Sequence, residues 1–473
     1  MDWLNQGRQK PGESLPQRRL ILLTVCLGAF MATLDTSIVN IALPQMAHDF
    51  HSSLAEISWV MVIYLLVNVC LLLTSGRLGD LLAPGRLYLL GLLVFTGASV
   101  LCGLSPGLTP LVASRALQAV GASLMLGLAP RIIALTYGEG ERGLALGWFS
   151  MAFATGICVG APLGGAITSY LGWPYIFFIN IPIGAVGVLL GRRSLARLKA
   201  QTAWDRRAFD FWGAVVLAGS LGTLLLALTR IRETGADGPA VIALALAAGL
   251  FALLIALERR QQAPLLHGEL WRSWPFLVGS LAVLLTFAAV MGAFFLLPFF
   301  LEQVYRYSPA QTGLLLAALS ATNALVAPLG GYLADRWGNL LILRLGTGMV
   351  LLGLGSMLFT GLQDTTLSLA GRLMLIGLGF GLFQAPNLSE ILREVRPSLI
   401  GLAASTNAVL KNLGSLLGIT ATVTVFAWFN QSPVTWGPAE GLKISSFHHA
   451  FIVAALLGVL SWLTNLLPRG QRY

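Results

Sequence analysis

The sequence predicts an all-α integral membrane protein with fourteen transmembrane helices. Hydrophobic residues make up 56% of the chain and charged residues only 11%, whereas about 25% of the residues in soluble domains are charged. The mean hydropathy is +0.78. The four cysteines all lie in apolar runs, which indicates packing residues and not disulfides or metal ligands.

Fourteen apolar runs are long enough, or nearly long enough, to span a bilayer as helices. About twenty residues, each rising roughly 1.5 Å, cross the hydrocarbon core of a bilayer. The first run is too long for the hydrophobic region of a signal peptide, so we expect it to be retained as a helix. The runs lie at 20–43, 57–76, 87–104, 109–136, 143–168, 174–190, 210–229, 239–257, 275–300, 309–334, 341–361, 366–389, 400–427 and 449–467.

The distribution of arginine and lysine predicts that both termini lie in the cytoplasm. Cytoplasmic loops of membrane proteins carry an excess of basic residues, and most basic residues here fall on the side of the termini, above all in 191–209 and 258–274. The opposite loops hold only Arg230, Arg232, Arg306 and Lys443. This placement accounts for the net charge of +10 without a nucleic-acid partner.

A short motif occurs twice and divides the chain into halves. The GRLGD motif at 76–80 recurs as GYLAD at 331–335, each time at the end of a predicted helix. Transporters are often built from repeated halves. We therefore expect one six-helix bundle over 1–190, a second over 275–473, and linkers with two additional helices over 191–274. The additional helices carry few polar residues, which predicts a lipid-facing or bridging position.

The two copies of the motif are candidate gate loops. An aspartate at a helix end can accept hydrogen bonds from the N-terminus of an adjacent helix, and such a latch would close one side of the protein. A single copy is more simply an ordinary polar turn, but two copies in register favour a gate. The candidate gate residues are Gly76, Asp80, Arg86, Gly331, Asp335 and Arg336.

Asp35 is the only charged residue in the first apolar run. Inserting a carboxylate there costs about 2.5–3.5 kcal/mol, so it either has a function or pins helices together in a buried ion pair. Both interpretations need a cationic partner. Counted along the helices, Asp35 and Arg115 both lie roughly 8–9 Å from the outer edge of the bilayer. A nearby guanidinium favours the ionised carboxyl, and loss of the pair would favour its protonation, so these two residues are the predicted proton-coupling pair.

The fifth apolar run carries a smooth glycine face. Gly156, Gly160 and Gly164 recur every four residues, with Pro162 and Gly165 beside them. Small residues at this spacing let membrane helices pack backbone to backbone, and a proline adds a bend. The spacing alone leaves two alternatives open, a static packing seam and a rocking contact between the halves.

Further polar residues interrupt the other apolar runs. A lysine near the midplane, Lys411, is as costly as Asp35. The candidate substrate-cavity residues are Tyr64, Asn68, Gln118, Asn323, Gln384, Asn387, Asn407 and Lys411. Each neutral residue could equally bond neighbouring helices, but as a set they favour a midplane cavity. No HExxH, P-loop or GxSxG motif occurs, so we expect no catalytic and no metal site.

Several longer motifs accompany these residues. They are Leu34–Pro44, Arg115–Gln118, Gly156–Gly165, Ile176–Gly184, Tyr307–Gly313, Gly381–Asn387 and Lys411–Gly414. With them the chain resembles the major facilitator superfamily, in particular its fourteen-helix drug:proton antiporters. The resemblance implies the major facilitator fold, alternating access, and proton-driven export with the proton as coupling ion and no other cofactor. Arg131, Arg306 and Lys411 depart from the family pattern, where an uncharged residue, glycine and arginine are usual.

The main hypothesis is therefore a proton-coupled exporter of amphipathic drugs or toxic small molecules in a bacterial cytoplasmic (inner) membrane. Its partners would be a small-molecule substrate, protons and the lipid bilayer, and we expect a monomer, with the need for a periplasmic adaptor left open. The alternative is an exporter of an endogenous anionic or lipid-like metabolite, with Arg115 and Lys411 as counter-charges. A membrane-embedded enzyme or sensor is the alternative from another class, and it lacks a catalytic constellation or a sizeable soluble domain.

Overall fold

The computed structural model is helical throughout the part of the chain that it describes. It describes residues 15–195, 198, 211–234, 237–258, 270, 272–361, 363–393, 395, 400–430 and 444–467. No residue in these ranges belongs to a strand. The basic linkers predicted at 191–209 and 258–274 lie largely outside the described residues.

The described residues form fifteen α-helices. They are α1 (Leu15–Asp49), α2 (Leu54–Leu81), α3 (Pro84–Gly103), α4 (Leu108–Thr136), α5 (Glu139–Tyr170), α6 (Tyr175–Phe178), α7 (Asn180–Ser194), α8 (Phe211–Thr234), α9 (Gly238–Glu258), α10 (Trp274–Val304), α11 (Pro309–Trp337), α12 (Asn339–Ser356), α13 (Thr366–Arg393), α14 (Ile400–Phe429) and α15 (Ile444–Leu466). A 3-10 turn, Met357–Phe359, follows α12.

Thirteen segments of the described chain are long and apolar enough to cross a membrane, with α6 and α7 counted as one. The remaining candidate, at 210–229, corresponds to α8, whose apolar stretch Val215–Ala227 is shorter. The protein is thus an all-helical, multi-pass membrane protein, as its composition predicts. The cytoplasmic location of the termini stays a prediction.

The helix predicted at 174–190 is broken in two. α6 ends at Phe178 and α7 begins at Asn180. Pro182 explains the break, because a proline lacks an N–H and its ring clashes with the carbonyl of the residue four positions earlier, which here is Phe178. The run still counts as one membrane span, Tyr175–Ser194.

Corresponding helices begin in the same way in the two halves of the chain. Ser53 caps α2 and forms a capping box with Glu56, and Ser308 caps α11 and forms a capping box with Gln311. In each box the serine hydroxyl and the side chain three residues later satisfy backbone N–H groups that a helix start leaves unpaired. The loop before Ser308 contains Arg306 with φ +59°, a left-handed conformation that glycine adopts at lower cost.

The packing order also repeats. In the first half (α1–α7), α1 packs on α5, α2 on α4, and α3 on α4. In the second half (α10–α15), α10 packs on α14, α11 on α13, and α12 on α13. The predicted boundary at 190 falls inside α7, and α10 begins at Trp274. The division into two bundles and a linker region stays a prediction.

Among the described residues, the largest core that the two halves share lies at one end of the bundle. We call the end where α1 starts the amino end and the end where α1 finishes the junction end. Around the junction end a single buried cluster joins both halves, for example through Ile41 and Phe295. Near the amino end the described buried residues form separate clusters, one with Ile21 and Ile132 and another with Leu343. The two halves are therefore closed against each other at the junction end.

Helices α5 and α11 make the tightest backbone contact between the halves. A Cβ atom on Gly165 would lie 2.3 Å from the Pro309 carbonyl oxygen, and one on Gly313 would lie 2.4 Å from the Ala161 carbonyl oxygen. The Ala310 N–H donates a hydrogen bond to Ser169 Oγ at 3.0 Å. Only glycine allows the two backbones to come this close.

The additional pair, α8 and α9, lies over the second contact between the halves. α8 packs against both α2 and α14, where Leu221 joins Val69 and Val409 in one buried cluster. α9 packs on α8 and leaves large apolar side chains such as Ile242 exposed. This arrangement agrees with the predicted bridging and lipid-facing positions.

Substitution of Gly165 by valine should open the junction end. The added side chain collides with the Pro309 backbone, and such overpacking costs about 1–3 kcal/mol. We expect an Ala310→Cys reporter to react faster with a membrane-impermeant maleimide. Gly147→Val is the matched control on α5, because a Cβ there meets nothing within 4 Å. Equal labelling rates in both variants would contradict the contact.

Candidate functional site

A buried ion pair lies at the centre of the first half. Arg115 on α4 donates a hydrogen bond from Nη1 to Asp35 Oδ2 on α1 at 2.5 Å, and both side chains are 0% exposed. The pairing is the one that the equal depths of the two residues predict. Its role in proton coupling stays a prediction at this point.

Two amide side chains complete the coordination of the Asp35 carboxylate. Gln118 Nε2 donates to Oδ1 at 2.8 Å, and Asn180 Nδ2 on α7 donates to the same oxygen at 2.9 Å. Gln118 also donates to Ser99 Oγ on α3 at 2.8 Å. Hydrogen bonds to a charged acceptor are roughly twice as strong as neutral ones. The carboxylate therefore accepts three hydrogen bonds from side chains of two helices.

The guanidinium of Arg115 is held from several sides. Its Nε donates to the Val60 carbonyl on α2 at 3.2 Å, and Nη1 also donates to Gln118 Oε1 at 2.6 Å. Its Cζ lies 4.3 Å from the centre of the Tyr64 ring and 6.0 Å from that of Phe177, within the range of cation–π attraction. Nη2 is buried and has no hydrogen-bond partner.

A proton on Asp35 would change the net charge of this ion pair. With Asp35 ionised, the pair is neutral overall and packs without bulk water. A proton on Asp35 would leave the Arg115 guanidinium as an uncompensated charge, which a buried site tolerates poorly. Protonation must therefore change the surroundings of Arg115.

The glycine face of α5 lies mainly inside the first half. A Cβ on Gly156 would lie 2.2 Å from Thr33 Oγ1, and one on Gly160 would lie 2.5 Å from Ser37 Cβ, both on α1. Gly164 contacts α1 as well, at Ile38. Among these glycines only Gly165 faces the second half, as described above. Pro162 lies within α5 without ending it. The three-glycine stripe is thus a seam within one half, and of these four glycines Gly165 contacts the other half. A rocking motion at that contact stays a prediction.

The candidate gate loops are helical. Gly76 and Asp80 lie within α2, and Gly331 and Asp335 lie within α11. α2 continues through the motif because the Leu82 N–H still bonds the Leu78 carbonyl. α11 ends only at Gly338, whose φ is +86°. The interpretation as loops was wrong, since the motifs form final helical turns.

The gate residues whose side chains are described are not latched. Arg86, Asp335 and Arg336 are exposed, and none of them forms a salt bridge with another described residue. Arg336 instead lies 5.9 Å from the Tyr332 ring. The side chain of Asp80 lies outside the described set. The gating role of these residues stays a prediction.

The neutral polar residues fall into two groups. Asn68 and Asn387 bond neighbouring helices within their own halves, since Ser123 Oγ donates to Asn68 Oδ1 at 3.0 Å and Asn387 Nδ2 donates to the Gly279 carbonyl at 3.3 Å. Gln384 Nε2 donates to Asn323 Oδ1 at 3.2 Å, and both side chains keep partial exposure. Tyr64 and Gln118 belong to the Arg115 site. The shared role of the eight candidates in a substrate cavity stays a prediction.

Lys411 and Asn407 lie one turn apart on α14. The Lys411 ammonium lies 5.4 Å from the centre of the Phe287 ring on α10. Lys411 is partly exposed, whereas Asn407 is buried and its Oδ1 has no hydrogen-bond partner.

Three further polar residues stand out in the structure and are not among the candidates predicted from the sequence. Ser99 and Asn180 bond the Asp35 network, and Glu302, near the junction end of α10, has a buried carboxylate oxygen without a partner. Asn180 could have been found by the criterion that singled out Asp35, a polar residue in an apolar run. Glu302 lies just beyond the run predicted at 275–300 and does not meet this criterion. Ser99 gives no such signal, because serine bonds its own helix at little cost, as it does here at the Phe95 carbonyl.

The arginines that depart from the family pattern lie at opposite ends. Arg131 is on α4 near the amino end and is partly exposed, and Arg306 is exposed in the loop between α10 and α11. Within the described part of the chain, no group of three or more His, Cys, Asp or Glu side chains could hold a metal ion.

The sequence is similar to those of several named proteins over most of its length. The family model of the Major Facilitator Superfamily matches residues 25–419. The riboflavin transporter RibZ of Clostridioides difficile is 34% identical over 93% of this chain and 93% of its own. Cephamycin export protein CmcT of Amycolatopsis lactamdurans is 31% identical over 94% and 92%, and multidrug resistance protein Stp of Mycobacterium tuberculosis is 30% identical over 87% and 77%.

The family match and the names of these relatives show that the protein is a membrane transporter and not an enzyme. The chain belongs to the major facilitator superfamily. The resemblance carried by its motifs is thereby confirmed at the level of the family.

Substitution of Arg115 alone should destabilise the protein more than substitution of both Asp35 and Arg115. Arg115→Met leaves the Asp35 carboxylate buried without a counter-charge, a loss of about 3–5 kcal/mol. We expect a large fall in the unfolding temperature of the detergent-solubilised protein, and partial recovery in Asp35→Asn/Arg115→Met. Strictly additive effects of the two substitutions would show that the side chains do not interact.

Proposed function

We propose that this transporter is a proton-coupled exporter of amphipathic small molecules that works by alternating access in a bacterial cytoplasmic membrane. The observation that carries the proposal is the fully buried pair of Asp35 and Arg115. An ionisable residue inside a membrane span is costly, and it is retained where it carries ions or protons.

The state of the two halves supports a direction for the cycle. If the termini are cytoplasmic, the amino end is the inner side. The structure is then closed outside, whereas its described buried residues form separate clusters inside. In the proposed cycle, the intact pair corresponds to Asp35 without a proton. The substrate would then load from the cytoplasm. After the halves reverse, a proton from outside would reach Asp35, displace Arg115 and favour the return.

The relatives support export as the physiological direction. CmcT is named for cephamycin export and Stp for multidrug resistance, whereas RibZ is named a riboflavin transporter without a stated direction. An exporter of toxic compounds would confer antibiotic resistance on its host. The relatives are named for different compounds, so their names do not single out one substrate for this protein.

A growth-inhibition panel in an efflux-deficient bacterium would identify the substrates. Cells that express the wild type should tolerate at least one amphipathic inhibitor at several-fold higher concentration than cells with an empty vector. The Asp35→Asn variant should lose this advantage at equal expression. No gain in tolerance across a chemically broad panel would contradict the exporter assignment.

Coupling is tested in proteoliposomes with a substrate from that panel. Asp35→Asn should abolish uphill transport driven by an imposed pH gradient while exchange of labelled for unlabelled substrate continues, because only the proton step needs the acid. Glu56→Gln is the matched control, since Glu56 lies in a capping box at an exposed helix start, where glutamine also caps. Gradient-driven transport at the wild-type rate in Asp35→Asn would overturn the proposal.

A further inference from the structure

In this state Arg115 is not available to a negatively charged substrate. Its guanidinium already bonds Asp35, Gln118 and the Val60 carbonyl, and the side chain is 0% exposed. A counter-charge for a substrate that binds near the midplane in this state must therefore come from another residue. The alternative that Arg115 and Lys411 act together on an anion stays a prediction.

Lys411 is a cation that the described protein does not neutralise. It lies near the middle of α14, and no described carboxylate is within salt-bridge distance of it. Its ammonium group carries three donors, and the contact that is present is with the face of Phe287, at 5.4 Å. A cation–π contact stabilises the charge by only about 0.5–2 kcal/mol and leaves its donors unused.

The approach of α14 to α10 explains why the ammonium lies over this ring. A Cβ on Gly414 would lie 2.3 Å from the Leu284 carbonyl oxygen and 3.1 Å from Phe287 Cβ, so the two backbones are in close contact one turn from Lys411. This close contact brings Phe287 of α10 within reach of the Lys411 ammonium group.

An aromatic pair continues from Lys411 toward the polar bond between α11 and α13. Phe287 packs edge to face against Phe380, with the ring centres 5.0 Å apart. Gln384 follows Phe380 by one helical turn on the same face and bonds Asn323. Phe287, Gln384, Asn323 and Lys411 all keep partial exposure, so part of each side chain is accessible to a ligand.

We propose that Lys411, Phe287 and Phe380 form a subsite for the anionic group and adjoining ring of a planar aromatic substrate. A carboxylate or phenolate would receive the unused donors of Lys411, and the ring would pack against the phenylalanines. The buried Asn407 Oδ1, without a partner one turn away, would accept a hydrogen bond from a hydroxyl or amide of the same molecule. This inference rests on the proposed transport function and adds the charge class of the substrate.

The test compares a carboxylate with its neutral isostere. Binding of 2-naphthoate and 2-naphthamide to the purified full-length protein is measured by equilibrium dialysis, with no pH gradient. The wild type should bind the acid at least tenfold more tightly than the amide. Lys411→Met should lower the affinity for the acid about tenfold and leave that for the amide within twofold, and Lys411→Arg should keep the preference. Arg306→Met, which removes an exposed cation in a loop, is the charge-matched control.

Three results would overturn the inference. The first is equal affinity of the wild type for both probes. The second is an equal fall in affinity for both probes in Lys411→Met. The third is a fall in affinity for 2-naphthoate in Arg306→Met as large as that in Lys411→Met. The measurement is made at equilibrium, so its outcome does not depend on whether Asp35 couples protons. A failure of coupling in proteoliposomes and a failure of charge selection at Lys411 are therefore distinguishable.

Discussion

The buried pair between Asp35 and Arg115 is the interaction on which the first half of this transporter depends. Through Gln118, Asn180, Ser99 and the Val60 carbonyl it connects α1, α2, α3, α4 and α7. A network in which every member bonds several others favours one arrangement of these helices. The half is thus tied together at its centre, and any event that alters the charge of Asp35 acts on all five helices at once.

The contacts between the halves differ in kind from those within a half. Inside the first half, the stripe of Gly156, Gly160 and Gly164 brings α5 against α1, and hydroxyls of α1 bond carbonyls of α5, as Ser37 Oγ does at Ile157. Between the halves, the described contacts lie at the junction end, where Gly165 meets Pro309, and at the seam that α8 covers. Motion of rigid halves would therefore change the second set and preserve the first.

Much of the architecture could be predicted from the sequence, because a polar residue in a membrane span costs free energy and therefore stands out in an apolar run. The free-energy cost of a carboxylate in the bilayer singles out Asp35. The equal depth of Arg115 along a second helix indicates that it is the partner of Asp35. The same reasoning could not reveal that the gate motifs remain helical, since Gly and Asp in series are equally compatible with a turn. It also could not separate Asn68, which bonds a neighbouring helix, from Lys411, whose lack of a counter-ion depends on the packing of α10 and α14.

The central claim is that Asp35 takes up and releases a proton in exchange for its bond to Arg115. Infrared difference spectroscopy of the purified protein, recorded between alkaline and acidic pH, measures this directly through the carbonyl stretch of protonated carboxylic acids. The wild type should gain a band on acidification that is absent in Asp35→Asn and retained in Glu56→Gln. An identical difference spectrum in wild type and Asp35→Asn would show that Asp35 does not titrate and would contradict the account.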